Sequence, residues 1–521
     1  MAQYHSGCVS PVDRHLGIPR PASRGNPLSL PAALAGLWLG LLASACATDW
    51  PQYRGPNHDG VSPDRITAQW SGAATTAVWR VTLEPAFSSL AVAQGKAITQ
   101  VYRNSKETCI ALSITNGAEL WSRTFETCQS YGGYDGPRST PAIDQGSVYV
   151  LTSNLKLFRL NLANGAVAWS NNLVTAFGAK VITYGSAASP LLEGGLIYVN
   201  LHSANRALAA FWATNGALAW RVENEATTHS TPVTATIQGV RQVIFATQNG
   251  LVSLNSTNGQ KLWSYPYPNG YNGTALGGSP VTCSNIVFIS QAYTPISTAA
   301  RIDLVNGAWS ANHLWDQPIG MIWMTPVCSQ GALYGATGNN SSSTTPLVCL
   351  DLQTGALRWS YDGFGRGGVT LADNLILGLS EAGWLRLIRP DTNACSEIAS
   401  FPAINSGDCW NSFAICDGRV YARSTTEAAC FDLSLPDLKL DSPQIVAANN
   451  LRLTLRTANG TSLNANRLTS LEVRATTNLA LSPSQWPTLT NALALTNGTV
   501  RVDNVDAGAP RRRFFIVAEP R

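Results

Sequence analysis

Eight side chains in this 521-residue sequence sit just ahead of short β-rich runs that open successive repeats: Asp135, Arg138, Tyr184, His229, Tyr271, Trp323, Arg366 and Trp410. Brought together, two guanidiniums, an imidazole and four aromatic rings would suit an anionic or planar ligand, through charge-assisted hydrogen bonds and stacking. The competing reading makes them ordinary loop residues, with Arg138 and Arg366 solvated or paired to a nearby Asp. Metal chemistry has less to work with. His58, His202, His229 and His313 fall in different repeats without ligand spacing, so no metal site is expected.

Whether these residues meet depends on the repeat that carries them. A Gly followed four residues later by Trp recurs at Gly117 and Trp121, Gly165 and Trp169, Gly216 and Trp220, Gly259 and Trp263, and Gly355 and Trp359. Asn306-Gly307 belongs to the series with its Trp displaced to Trp309 or Trp315, and Asn393-Ala394 is a decayed member. A second mark opens each repeat: Thr140-Pro141, Ser189-Pro190, Thr231-Pro232, Ser279-Pro280 and Thr325-Pro326. Between the marks lie runs such as Ser147-Val148-Tyr149-Val150-Leu151, which read as strands, separated by Asn-Gly turns that tolerate positive φ.

Four strands per repeat of about 48 residues predict either a solenoid or a closed propeller. The chain ends decide for the propeller. The last repeat stops after its third strand at Cys430-Phe431-Asp432-Leu433, while Ala77-Val78-Trp79-Arg80-Val81-Thr82-Leu83 is a fourth strand without a preceding three. The early strand would complete the last blade and remove an exposed sheet edge. Repeats opening near Ser89, Thr140, Ser189, Thr231, Ser279, Thr325, Val369 and Phe413 predict an all-β, eight-bladed β-propeller of four-stranded antiparallel blades. In such a ring the eight candidate residues converge on one mouth of the central channel. The repeated Trp residues, with Trp79, are assigned to packing between blades rather than to a site.

The whole pattern, Ser/Thr-Pro, four strands, then Asn/Thr-Gly-x-x-x-Trp, resembles the pyrroloquinoline quinone (PQQ) repeat of quinoprotein alcohol dehydrogenases and of the noncatalytic, BamB-like branch. The resemblance covers Asp49 to about Leu435 and implies the propeller fold. Its dehydrogenase branch implies a PQQ cofactor with Ca²⁺ and an adjacent cysteine pair against the quinone. No Cys-Cys and no Cys-x-x-Cys-His haem attachment sequence occurs here. The expectation is therefore a noncatalytic binding or scaffold protein without a cofactor. A divergent PQQ-dependent alcohol or sugar dehydrogenase and a BamB-like outer-membrane assembly scaffold are the alternatives.

Composition agrees with buried sheets: 45% hydrophobic but only 13% charged residues, against the usual ~25% charged, excludes both disorder and long exposed helices. The formal charge of +4 falls to +2 without residues 1–46, so no nucleic-acid partner is expected. The expected partner is a protein, a peptide or a small anionic ligand, bound by a monomer.

Those first residues read as an export signal. Arg14, Arg20 and Arg24 precede an apolar stretch from Leu28 to Ala45, ending in Ala43-Ser44-Ala45-Cys46. Simple cleavage or lipidation of Cys46 would follow, and either implies an extracytoplasmic location. No transmembrane segment is expected in the mature chain.

Of the nine cysteines other than Cys8 and Cys46, Cys283, Cys328 and Cys416 end first strands, while Cys109, Cys349 and Cys430 lie in third strands. First and third strands of a blade stand about 9.5 Å apart, beyond disulfide reach, so these are read as small buried residues. Cys109 with Cys128 and Cys395 with Cys409 are open as pairs. The predicted organisation is a signal peptide at 1–46, a lead segment at 47–76, the propeller at 77–435, a linker at 436–450 and a small C-terminal β-sandwich at 451–521.

Overall fold

The structure is a computed structural model that describes residues 48–521 apart from 129–134, 268–272, 292, 294, 322, 339–344, 448, 464, 507–512 and 520–521. Eight antiparallel sheets of four consecutive-neighbour strands follow one another along the chain. We number them as blades 1 to 8 by their innermost strands: Ala91–Ala93, Ala142–Asp144, Leu191–Glu193, Val233–Ile237, Val281–Cys283, Val327–Ser329, Gly368–Ala372 and Ala414–Cys416. The fourth strand of blade 8 is Ala77–Thr82, paired antiparallel with Glu427–Asp432. Closure is chemical as well as topological: the Asn411 side chain donates to the Ser88 carbonyl at 2.9 Å, from blade 8 to blade 1.

Two sequence marks acquire physical roles. Trp79, Trp121, Trp169, Trp220 and Trp315 each lie against the Asn-Gly or Thr-Gly turn of the next blade, whereas Trp263 Nε1 donates within its own blade to Gln242. Trp121 Nε1 donates to the Leu162 carbonyl at 2.9 Å, Trp169 to Ala213 at 3.2 Å and Trp359 to Asp391 at 2.7 Å. A Cβ on Gly165 would lie 2.6 Å from the Trp121 ring, with φ at +68°, so glycine is required there for two reasons. Trp315, not Trp309, is the displaced member: it is buried, and its Nε1 donates to Leu352. The Ser/Thr-Pro mark staples neighbouring blades. The amide of Ser89 donates to Thr140 Oγ1 (3.0 Å), Thr140 to Ser189 Oγ (2.9 Å), Ser189 to Thr231 Oγ1 (2.9 Å) and Ser279 to Thr325 Oγ1 (2.8 Å).

The lead segment is more than an approach to the first blade, because it fills the end of the channel where the first strands finish. Trp50, 2% exposed, bridges to Val92 of blade 1, and the Pro51 carbonyl accepts from Ile143 of blade 2. The Gln52 amide pairs with both backbone groups of Leu192 in blade 3, and His58 Nδ1 lies 2.9 Å from Thr234 Oγ1 in blade 4. Arg54 reaches the carbonyls of Thr325 (2.9 Å) and Pro326 (2.8 Å) at the entry of blade 6. Val61–Ser62 pairs parallel with Leu371 and Ala372 of blade 7, and Asp64 accepts from the Gly418 amide of blade 8.

The cysteine reading needs correction. Cys283 and Cys328 form a disulfide between the first strands of blades 5 and 6, with Cα atoms 6.3 Å apart. The 9.5 Å separation of first and third strands applies inside a blade, whereas strands converging on an axis bring equivalent positions of adjacent blades within reach. Cys349, Cys416 and Cys430 are free and buried as expected, and the open pairs Cys109 with Cys128 and Cys395 with Cys409 are unbonded.

The segment expected as a linker, 436–450, contributes strands Leu438–Leu440 and Gln444–Ala447, both paired with Asn450–Thr457. The C-terminal region is a larger sheet completed by Leu493–Thr496 and Thr499–Asp506, with a two-stranded ribbon of Glu472–Thr476 and Phe514–Ala518. Its own core includes Leu453, Leu455, Val473, Val500 and Val502. It docks beside the plugged end, where Glu519 receives Arg65 (2.9 Å) and Arg467 (2.8 Å). Among the described residues, no helix is long and apolar enough to cross a membrane.

Candidate functional site

The opposite mouth is built from the residue two places ahead of Ser89, Thr140, Ser189, Thr231, Ser279, Thr325, Gly368 and Ser412, which hold equivalent places at the entry of the eight blades. Counted this way the positions are Phe87, Arg138, Ala187, His229, Gly277, Trp323, Arg366 and Trp410. Five of the eight sequence-predicted residues therefore hold equivalent places, and the ring of blades turns them toward a common axis. Gly277 is small because Trp323 lies over it: a Cβ there would sit 2.8 Å from the indole.

The side chains form a continuous stripe. The Trp323 and Trp410 rings lie 5.2 Å apart at 48°, and Trp410 stacks on Phe87 at 5.9 Å and 12°. The Arg138 guanidinium lies 4.8 Å from the Phe87 ring and 5.6 Å from that of Tyr184. Arg366 stands 4.6 Å from the Trp410 ring and 5.9 Å from that of Trp323. Such contacts are worth roughly 0.5–1 kcal/mol where exposed, so the stripe is firm before any ligand arrives. Asp135 is half-buried at the same mouth. Tyr271 and Cys46 lie outside the described residues.

Charge at the mouth is largely neutralised from within. Glu381, 5% exposed, accepts from Arg366 Nη2 at 2.5 Å and Nε at 3.1 Å, from the Arg366 amide at 2.9 Å and from Trp410 Nε1 at 2.9 Å. Burial pulls the Glu381 carboxyl upward, but these hydrogen bonds prevail and hold it below the usual carboxylate range. Arg138 donates to the carbonyls of Gly136 (3.1 Å) and Tyr184 (3.3 Å). Burial, then the Arg138 charge, pushes His229 down to about 4, so its imidazole is neutral at physiological pH. Arg366 thus pairs with a Glu rather than an Asp, and in a geometry that orients it over two indoles.

Immediately behind the stripe lies a polar layer made by the next residue in each loop. Ser88, Ser139 and Asn411 follow Phe87, Arg138 and Trp410. Gln100 donates to the Ser139 carbonyl at 2.8 Å, and buried Arg423 donates to the Gln100 carbonyl at 3.0 Å and to Thr99. A separate cavity of about 320 Å³ between blades 5 and 6 is lined by Pro295, Pro318, Ile319, Pro346, Val348 and Leu357. Its Thr337 and Thr345 hydroxyls bond backbone carbonyls, so it offers an apolar lining and no stripe residue.

Phe87 and Glu381 are the members that sequence reasoning missed. Phe87 was detectable, since it stands two places before Ser89 as Arg138 does before Thr140. Glu381 follows a second strand, and nothing local marks it. The donor set does not suit a calcium–quinone centre. Calcium takes six to eight oxygens, whereas both Glu381 oxygens are taken up by Arg366 and Trp410. Among the described residues no group of three or more His, Cys, Asp or Glu side chains could hold a metal ion.

Comparison with known proteins places this geometry in context. The family model described as outer membrane protein assembly factor BamB matches residues 65–183 and 105–361. The outer membrane protein assembly factor BamB of Moranella endobia (strain PCIT) is 25% identical over 307 residues, covering 54% of this chain and 70% of that protein. The crystal structure of BamB from Moraxella catarrhalis superposes with a TM-score of 0.50 at 14% identity, covering 68% of this chain and 97% of its own. Quinohemoprotein alcohol dehydrogenase from Comamonas testosteroni superposes at 0.55 and 13%, covering 77% and 83%. At such identities the two superpositions speak for the fold alone.

Proposed function

Because the chain belongs to the PQQ-repeat β-propeller family described as outer membrane protein assembly factor BamB, we propose that it is an exported, noncatalytic scaffold. It presents the open mouth of its channel as a rigid binding surface, outside the cytoplasm. The observation that carries the reading is the Arg366–Glu381–Trp410 arrangement: the buried carboxylate at the mouth is fixed by four donor groups of Arg366 and Trp410. A general base needs a pKa near working pH and a free lone pair, and Glu381 offers neither. What the mouth offers instead is preorganised stacking area, which favours binding by lowering the ordering cost.

The test is reconstitution of the purified chain with PQQ and Ca²⁺. Expected is no stoichiometric quinone absorbance and no alcohol-dependent dye reduction; both together would overturn the noncatalytic reading and favour a quinoprotein oxidoreductase. The mass of the exported protein separates simple cleavage from lipidation at Cys46, and a diacylglyceryl mass increment would favour the membrane-anchored assembly scaffold.

A further inference from the structure

We infer that the open mouth is a carbohydrate-binding platform that takes a neutral glycan along the Tyr184–Arg138–Phe87–Trp410–Trp323 stripe. The inference rests on the reading of this mouth as a binding surface and names its ligand class.

Three features select that class. First, four rings and two guanidiniums, each within 6 Å of the next, form a continuous stripe with Tyr184 exposed and Phe87, Trp410 and Trp323 half-buried. The negative π faces of such rings attract the polarised C–H faces of pyranose rings, laid one after another. Secondly, the guanidinium of Arg366 is closed by Glu381, and the formal charges of Arg138, Arg366, Asp135, Glu381 and Asp408 leave no net positive charge at the mouth, so little attraction is available for an acidic polymer. Thirdly, the rim mixes donors and acceptors of the kind that hydroxyls satisfy. The Tyr184 side chain is 45% exposed, Asp135 is half-buried and Asp408 exposed, while His229 Nδ1 is buried without a hydrogen-bond partner.

An extended peptide fits less well, because main-chain recognition needs open backbone groups. Carbonyls around the mouth are already engaged: Gly136 and Tyr184 by Arg138, Pro137 by the Phe87 amide, Ser88 by Asn411 and Ser139 by Gln100. Sugars need no such ladder. The polar layer behind the stripe fixes Phe87, Arg138 and Trp410 through their neighbours, so the platform need not be ordered on binding.

The experiment is calorimetric titration of the full exported chain with cellohexaose, maltohexaose and chitohexaose, alongside oligogalacturonate and a proline-rich decapeptide. Expected is binding of at least one neutral hexasaccharide, changed less than about twofold by roughly 0.5 M salt. Trp410→Ala should weaken it by about tenfold or more. Tyr184→Asn, which keeps a residue tolerant of the left-handed backbone at φ +69°, should also weaken it while leaving the melting temperature unchanged. The inference is overturned if no neutral hexasaccharide binds at about 10 mM, if only oligogalacturonate or the decapeptide binds, or if both variants bind as the parent does. PQQ-dependent dye reduction is scored separately, so loss of the noncatalytic reading and loss of the glycan assignment are distinguishable outcomes.

Discussion

The two ends of the channel begin from the same architecture and finish differently. At one end eight first strands terminate, and the chain's own residues 50–64 cover them, with contacts to blades 1, 2, 3, 4, 6, 7 and 8. At the other end the same strands begin, and their approaches leave Phe87, Arg138, Trp323 and Trp410 partly exposed and the Arg366 side chain 13% exposed. Both ends hold arginines, but they are satisfied in different ways. Arg54 is buried and bonded to the carbonyls of His58, Asp59, Thr325 and Pro326. Arg366 stands 4.6 and 5.9 Å from two indole rings and is anchored by a carboxylate. Carbonyl partners hold Arg54 within the plug and Arg138 at the mouth, whereas Arg366 at the mouth is held by a buried carboxylate beside two indoles. The plugged end is thus closed by the chain's own lead segment, and the open end is the face proposed to bind other molecules.

The comparison can be broken most sharply at Trp50. Trp50→Ala removes a buried indole from the plug and should cost about 4 kcal/mol, read as a large fall in denaturant midpoint. An equal loss from Trp410→Ala would erase the distinction between the ends.

Acid sensitivity provides the next test. Burial pushes His58 down to about 4 from 6.5, against the pull of Glu193 and alongside the repulsion of Arg241 and Arg54. As pH falls below 6.5 the unfolded chain takes up a proton that the folded chain refuses until about 4. Stability is therefore lost across that window, by about 3 kcal/mol for this group. His58→Asn, with Asn suited to the φ of +64°, should flatten the pH dependence of chemical denaturation between pH 7 and 4 by that amount.

Reduction of Cys283–Cys328 should cost about 2 to 3 kcal/mol and leave ligand binding at the mouth intact. Coupled loss of both would show that the ends are not independent.

The smallest stability effect belongs to Trp410→Ala. The half-buried ring contributes roughly 1 to 2 kcal/mol, seen as a modest shift in Tm, although its effect on binding is the largest of the set.

Much of this was legible in the sequence. The Gly-to-Trp spacing and the Ser/Thr-Pro mark report local turn chemistry and burial, which repeat because each blade solves the same packing problem. That is why Trp79 could be placed on the closing strand, and why Arg138, Trp323, Arg366 and Trp410 could be assigned to one mouth. Glu381 and Gln52 carried no such signal. Their partners, Trp410 and Leu192, lie 29 and 140 residues away. The Cys283–Cys328 bond carries no sequence signal for a related reason, since its partners are 45 residues apart and meet only where neighbouring blades converge on the axis.

The sequence by itself determined the repeat, the eight-blade count, the closure by an early strand and the set of loops that face one mouth. Those features depend on periodic burial and turn conformation, which are local and therefore written in every repeat. Only the tertiary structure decided that residues 50–64 plug the other end, that Glu381 neutralises Arg366, and that residues 438–447 are strands of the C-terminal sheet. Each of these depends on groups distant in sequence meeting in space, where hydrogen-bond geometry and burial, rather than residue type, select the partner.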